Sequence, residues 1–386
     1  MIAQLQKTTL LQSQDNIVYQ TPPPEILELV DIERAPIVRI DSKGEQMLFY
    51  YRSTFKSLSD LNQPEIRLGG LRVNPVSNIS STITYFNNIR YKKTSDTELK
   101  QVEGLPVDAR IAYASFSPDE TKIAFANVTD EGVELWIADL ATLEARKLTD
   151  AVLNASAGYP YSWLPDGSGL LTRFTPSDRG PLIEMGKALP EGPVVSVSDG
   201  QISQNRTYQD LLKNPVDEVN FEVLMTSELH IVHLDGHSKL WKEAGMYLDQ
   251  TYSPDGRFVL LTTLSKPFSY VVPYYSFPNE TDIYSADGEF LLSFSKQPLL
   301  DNLPVGFMAT YEGKRSIHWR ADKPSTLAWI EALDKGDPAV EVDYRDELFQ
   351  VDAPFTGTST SLVKTTHRLS GITWGNDTYA VVQDRW

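Results

Sequence analysis

The chain has 386 residues, 41% of them hydrophobic, which is enough for one large packed repeat domain or two ordinary ones. Its net charge of −17 argues against the basic face that nucleic acid or an anionic membrane surface requires. With no cysteine it has no disulfide, thiolate catalysis or cysteine-ligated metal, and no apolar run is long enough to span a bilayer.

The first twenty residues carry no charged-then-apolar signal pattern. Residues 1–36 read as an N-terminal segment in which Pro22–Val30 forms a short helix started by proline. From residue 37 to 386 one unit recurs: apolar alternation, a turn built on Asp, then a second apolar run. Val38–Gly44 leads into Met47–Tyr51, Ala114–Asp119 into Lys122–Phe125, and Tyr161–Gly167 into Gly169–Thr172. Thr251–Gly256 leads into Arg257–Leu261, Ile317–Asp322 into Ser325–Trp329, and Ile372–Asp377 into Tyr379–Val382. Each unit is a hairpin: Pro presets the first central turn position, and Asp or Asn with Gly supplies the corner. The aromatic before the turn packs between neighbouring sheets. Outer strands follow at Val133–Leu140 with Ala145–Thr149, and at Thr281–Ser285 with Asp287–Leu292.

Two hairpins per repeat make a four-stranded antiparallel blade, and blades stacked radially make a propeller. The fold class is therefore all-β, a β-propeller with six inner hairpins. A β-sandwich does not repeat one turn signature. The stretch from Asp166 to Asp255 is too long for a plain blade and reads as a rim insertion holding a short helix at Tyr208–Lys213. The last hairpin finishes near Val382 without outer strands, which leaves the blade incomplete. Either the N-terminal region closes the ring or the natural protein continues past Trp386; continuation is the expectation.

The repeat resembles the TolB-like propeller class. Four longer blocks, Gln63–Arg72, Arg206–Lys213, Lys266–Pro273 and Arg315–Leu327, resemble in order the glutamyl endopeptidase-like serine peptidases of the prolyl oligopeptidase family. The resemblance implies an N-terminal propeller that caps a C-terminal α/β-hydrolase domain bearing Ser, Asp and His. It implies peptide substrates, exclusion of folded proteins, and cleavage after acidic residues, especially Glu. In bacteria such enzymes are often exported, which points to a periplasmic or secreted place if a leader was trimmed and to the cytoplasm otherwise. The competing reading is a free-standing propeller that binds a peptide, protein or glycan.

The chain itself offers no catalytic residues. It contains no Gly-x-Ser-x-Gly elbow, and Gly357–Ser361 fails that pattern at its last position. His230, His233 and His237 lie on a strand entering a turn, where positions three apart face opposite sides, so no metal site is expected. His318 reads as a packing residue, and His367 has no evident partner. Glu347 and Asp352 as a glycosidase dyad need a geometry that sequence does not supply. No cofactor is expected. A peptidase that reads an acidic side chain needs a cation, and Arg grips a carboxylate in two places. Arg72 and Arg315, inside the family-like blocks, are the candidate substrate-binding residues, weighed against ordinary pairing with loop carboxylates.

Overall fold

The computed structural model describes residues 22–30, 32–184 and 207–385. A short helix, α1 (Pro24–Val30), precedes the sheets and buries none of its residues. Blade 1 holds β1 (Ile37–Ile40) and β2 (Gln46–Tyr51). An insertion follows, with α2 (Leu58–Leu61) and a small sheet of β3 (Ile66–Leu68), β4 (Leu71–Asn74) and β5 (Ile79–Ser80). β6 (Asn88–Lys93) and β7 (Lys100–Gln101) complete that blade. Blade 2 is β8 (Ile111–Phe116), β9 (Lys122–Val128), β10 (Val133–Asp139) and β11 (Glu144–Lys147).

Blade 3 is β12 (Tyr161–Trp163), β13 (Gly169–Phe174), β14 (Ser227–His233) and β15 (Ser238–Gly245), with α3 (Pro215–Met225) between β13 and β14. Blade 4 is β16 (Tyr247–Tyr252), β17 (Phe258–Leu264), β18 (Asn279–Ser285) and β19 (Phe290–Gln297). Blade 5 is β20 (Arg315–Trp319), β21 (Thr326–Ala332), β22 (Asp346–Asp352) and β23 (Thr360–Thr365). A sixth hairpin, β24 (Arg368–Trp374) and β25 (Ala380–Arg385), stands as a two-stranded sheet. All neighbouring strands within the blades are antiparallel. The chain is thus a β-propeller with five four-stranded blades and, among the described residues, a sixth sheet of two strands. Among the described residues no helix is long and apolar enough to cross a membrane.

All six inner hairpins fall where the repeated turn places them. The helix expected at Tyr208–Lys213 does not form. That stretch is a turn, with Asp210 in the left-handed region at φ +60°, and the helix begins later at Pro215. Proline at the first helical position disfavours helix in the residue before it. Asn214 is accordingly extended, and its side chain caps the helix by accepting from Asp217 N.

The inner strands bind each blade to the one before it. Trp163 Nε1 donates to Ser115 Oγ at 3.2 Å, and Trp319 Nε1 donates to the Thr251 carbonyl at 3.1 Å. Trp374 Nε1 donates to His318 Nε2 at 3.1 Å. Each acceptor residue directly precedes the equivalent aromatic of the previous blade: Phe116, Tyr252 and Trp319. His318 is therefore a packing residue, fixed with Nδ1–H donating to the Ser316 carbonyl at 2.7 Å. The buried Tyr161 hydroxyl adds bonds across blades 2 and 3 to the carbonyls of Ala124 (2.8 Å) and Tyr113. Arg39 Nη1 ties blade 1 to the Ala114 carbonyl of blade 2 at 2.7 Å.

Tyr161→Phe removes the one hydroxyl proton that these two carbonyls share and is expected to lower stability by about 1–3 kcal/mol. Urea denaturation checks this. The turn carboxylates add a pH dependence. Asp119 is held down at about 2, first by the Ser117 hydroxyl and then by Thr121. Burial pushes Asp255 up, but hydrogen bonds from Ser325, Ser253 and Arg257 outweigh it and hold this group at about 2 as well. Both lie below the ordinary 3.8, so their contribution is present above that value and is lost as pH falls toward 2. Urea midpoints are expected to drop across this window, with a shallower slope in the Asp119→Asn, Asp255→Asn double variant.

Candidate functional site on the insertion face

Because successive strands in a blade alternate in direction, every second-to-third connection leaves on one face of the ring, opposite the Asp-bearing hairpin turns. Three of these connections are long: residues 52–87, 175–226 and 265–278. Together they form a platform with its own apolar core, which includes Leu68 and Val73 of the first, Leu212 and Phe221 of the second, and Phe268 and Phe277 of the third.

The platform is clamped on the turn joining β3 to β4. Gly69 and Gly70 both have positive φ, +59° and +86°, the backbone of a two-residue hairpin corner. Gly70 N donates to the Asp210 carbonyl at 2.8 Å, and Tyr274 N donates to the Gly69 carbonyl at 2.7 Å. A side chain at Gly70 would put Cβ 2.6 Å from Pro273 Cβ. Arg72, on β4, donates through Nε to Asp210 Oδ2 at 2.6 Å and through Nη2 to Gln209 Oε1 at 3.3 Å. Its side chain stays one-third exposed. It lines an open cleft of about 520 Å³ with Thr82, Gln209, Asp210, Pro273 and Tyr275. Three of the four sequence blocks thus meet here; Arg206, the first residue of one of them, lies outside the described residues.

Arg315 belongs to a different system on the same face. Its Nη2 sits 2.7 Å from Asp346 Oδ1, out of line for a hydrogen bond, and its buried Nε has no hydrogen-bond partner. Asp346 is fully buried and also accepts from Arg368 Nη1 at 2.9 Å and Leu369 N at 2.8 Å. The equally buried Asp334 accepts from Arg368 Nη2 and Arg345 Nη1, both at 2.7 Å. Burial works against the Asp334 charge, but Arg368 and Arg345 outweigh it and hold its pKa below the usual range. Arg72 and Arg315 are not brought together. Sequence reasoning missed Asp334, Arg345 and Arg368, whose only signal was charge at the ends of apolar strands.

The remaining candidates are dispersed. His230 Nε2 lies 2.9 Å from Glu228 Oε2 and its ring stacks on Phe174, whereas His237 Nδ1 lies 3.2 Å from Asp235 Oδ2. Among the described residues no group of three or more His, Asp or Glu is placed to hold a metal ion. Glu347 accepts from the Ser361 hydroxyl and Asp352 from the Thr326 hydroxyl, so these carboxylates serve separate partners.

The architecture defines a β-propeller with one face built over by insertions. No family model matches the chain. It is 33% identical over 384 residues to a protein of Oryza sativa subsp. japonica named "Probable glutamyl endopeptidase, chloroplastic", covering 95% of this chain and 41% of that protein. The Arabidopsis thaliana protein of the same name is also 33% identical, over 388 residues, with 95% and 40% covered. Among solved structures, Pyrococcus horikoshii acylaminoacyl peptidase aligns with a TM-score of 0.44 and 13% identity over 92% of this chain and 43% of that one. The chain spans about two fifths of the length of the curated relatives it matches. Over that span the chain, a propeller region, is similar to proteins named probable glutamyl endopeptidase.

Gly70→Ala forces a Cβ into Pro273 on a left-handed backbone and is expected to destabilise by more than about 1 kcal/mol. Hydrogen exchange should then quicken at 207–213 and 266–273 before it quickens in the blades; uniform quickening would contradict a separately clamped platform.

Proposed function

We propose that this chain is the non-catalytic, substrate-gating propeller of a prolyl oligopeptidase-type serine peptidase whose α/β-hydrolase domain lies elsewhere in the full protein. The observation that carries the reading is the 33% identity, over 95% of this chain, to proteins named probable glutamyl endopeptidase, of which three fifths lies outside the match. The absence of a Gly-x-Ser-x-Gly elbow from this sequence is in keeping with it. On this reading the ring supplies a passage that admits extended peptides and rejects folded proteins. The hydrolase then cleaves after Glu by acyl transfer to serine, with an oxyanion hole stabilising the tetrahedral intermediate. Arg72, through its exposed edge, and Arg315, through the Asp346 cluster, are the arginines of this chain proposed to serve an acidic substrate.

The full-length protein is expected to be labelled by a fluorophosphonate serine probe and to cut a short Glu-containing peptide on the carboxyl side of Glu. A folded protein offering the same sequence should be cut at least a hundredfold more slowly, and residues 1–386 alone should cut neither. Failure of the probe to label the full-length protein would overturn the serine mechanism, and equal rates on folded and short substrates would overturn gating.

A further inference from the structure

The inner strand of each blade is the end strand of its sheet, so its other edge turns to the ring axis. Four inner strands carry a bulge at nearly the same height. Tyr113 and Ala114 of β8 together face one residue of β9, and Ser316 and Ile317 of β20 face one residue of β21. β16 and β24 each carry one extra residue, Leu248 and Ser370. Every bulge begins three or four residues before the inner aromatic of its blade. A bulge takes a residue out of the alternation that sends its neighbours into the seams between blades, and Ser316 and Ser370 are accordingly exposed. Tyr113 differs from the others in size. It is the aromatic member of the set, on a left-handed backbone at φ +54° that disfavours a bulky side chain. Its ring is braced by Tyr159, with centroids 4.8 Å apart, and its carbonyl accepts from the buried Tyr161 hydroxyl. Burial pushes the Tyr113 phenol up to about 12, so it stays uncharged at neutral pH.

We propose that the Tyr113–Tyr159 pair is a fixed aperture on the ring axis, setting the girth of the chain that can pass and making no use of that chain's charge. The inference rests on the gating reading and names the side chains that carry it. An α-helix with its side chains is about 10–12 Å across, whereas neighbouring extended strands pack only about 4.7–4.9 Å apart. A phenol ring standing in the passage separates chains on that scale. Tyr159 is 50% exposed, so the pair offers an open wall on one side, while the brace behind Tyr113 keeps it from swinging away. Tyr85 and Tyr274, from the first and third insertions, are electrostatic neighbours of the Tyr113 phenol, which sets the aperture at the platform end of the axis. The pair works by shape, and the Tyr113 hydroxyl is dispensable.

The test measures kcat/KM of the full-length protein on two peptides of one sequence, one linear and one locked into a helix by a hydrocarbon staple, with the cleavable bond outside the staple. The wild type is expected to cut the linear peptide at least tenfold faster. Tyr113→Gly, which suits the left-handed backbone, should raise kcat/KM for the stapled peptide about tenfold and leave the linear one within about twofold. Tyr113→Phe should behave as the wild type. Tyr159→Ala should move the ratio in the same direction as Tyr113→Gly; this residue lies outside the strands and is half-exposed, so the variant keeps the test open if the Gly variant proves unstable. A stapled-to-linear ratio that neither variant moves overturns the aperture and leaves gating standing. A Phe variant that behaves like the Gly variant also overturns it, because the hydroxyl rather than the girth would then govern. A wild type that cuts both peptides alike overturns the gating reading, one that cuts neither overturns the peptidase reading, and the aperture falls with either.

Discussion

Each blade of this propeller is half-exposed until its neighbour is in place, and the inner-strand aromatic is what joins them. An indole on one inner strand reaches the residue just before the equivalent aromatic on the preceding one: Trp163 to Ser115, Trp319 to Thr251, Trp374 to His318. The contact couples register to assembly. Sliding an inner strand by one residue would turn its aromatic to the other face and break both the apolar seam and the hydrogen bond. The Asp-bearing turn next to it fixes that register, as when Ser253 and Asp255 close the blade 4 hairpin while Asp255 also accepts from Ser325 of blade 5. Turn and staple lie within a few residues of each other, so one short motif specifies both the hairpin and its docking.

This is why the propeller could be read from sequence. Ser-Pro-Asp and its variants act locally, and local chemistry leaves a mark at fixed spacing. The insertions left no such mark. The short helix expected at Tyr208–Lys213 is absent, and the helix of that insertion starts at Pro215. The signal that decides the matter is Asn214-Pro215, a cap followed by proline at the first helical position. Leu212 is buried nonetheless, as a turn residue in the platform core. Gly69-Gly70 was visible only as part of a family-like block. Its meaning depends on Pro273 and Asp210, some 200 and 140 residues away, which no local rule connects. Arg72 and Arg315 were found as residues but not as environments. Sequence could not tell that one faces an open cleft and the other a buried carboxylate.

The insertion face is a cooperative unit of a different kind from the ring. Its three connections come from blades 1, 3 and 4, and none can bury its apolar residues alone. β3–β5 is a three-stranded sheet of very short strands, too small to be stable by itself. Its core is completed by Phe221 of α3 and by Phe268 and Phe277, with ring centroids 5.1–5.7 Å apart. The platform core draws on residues from all three connections, so the platform depends on the blades that carry it, while the blades hold their own separate cores.

The arginine cluster sits where that logic is weakest. Blade 5 meets a hairpin of only two strands, so the apolar seam there is smaller than between complete blades. Arg368, at the start of β24, reaches back to Asp346 at the start of β22 and to Asp334 beyond the end of β21. Buried ion pairs are poor sources of net stability, yet removing one partner is costly, so they fix geometry more than they add energy. Arg368 spans Asp334 and Asp346, both fully buried, and so pins the sixth hairpin to blade 5 at a set angle where the apolar seam alone is small.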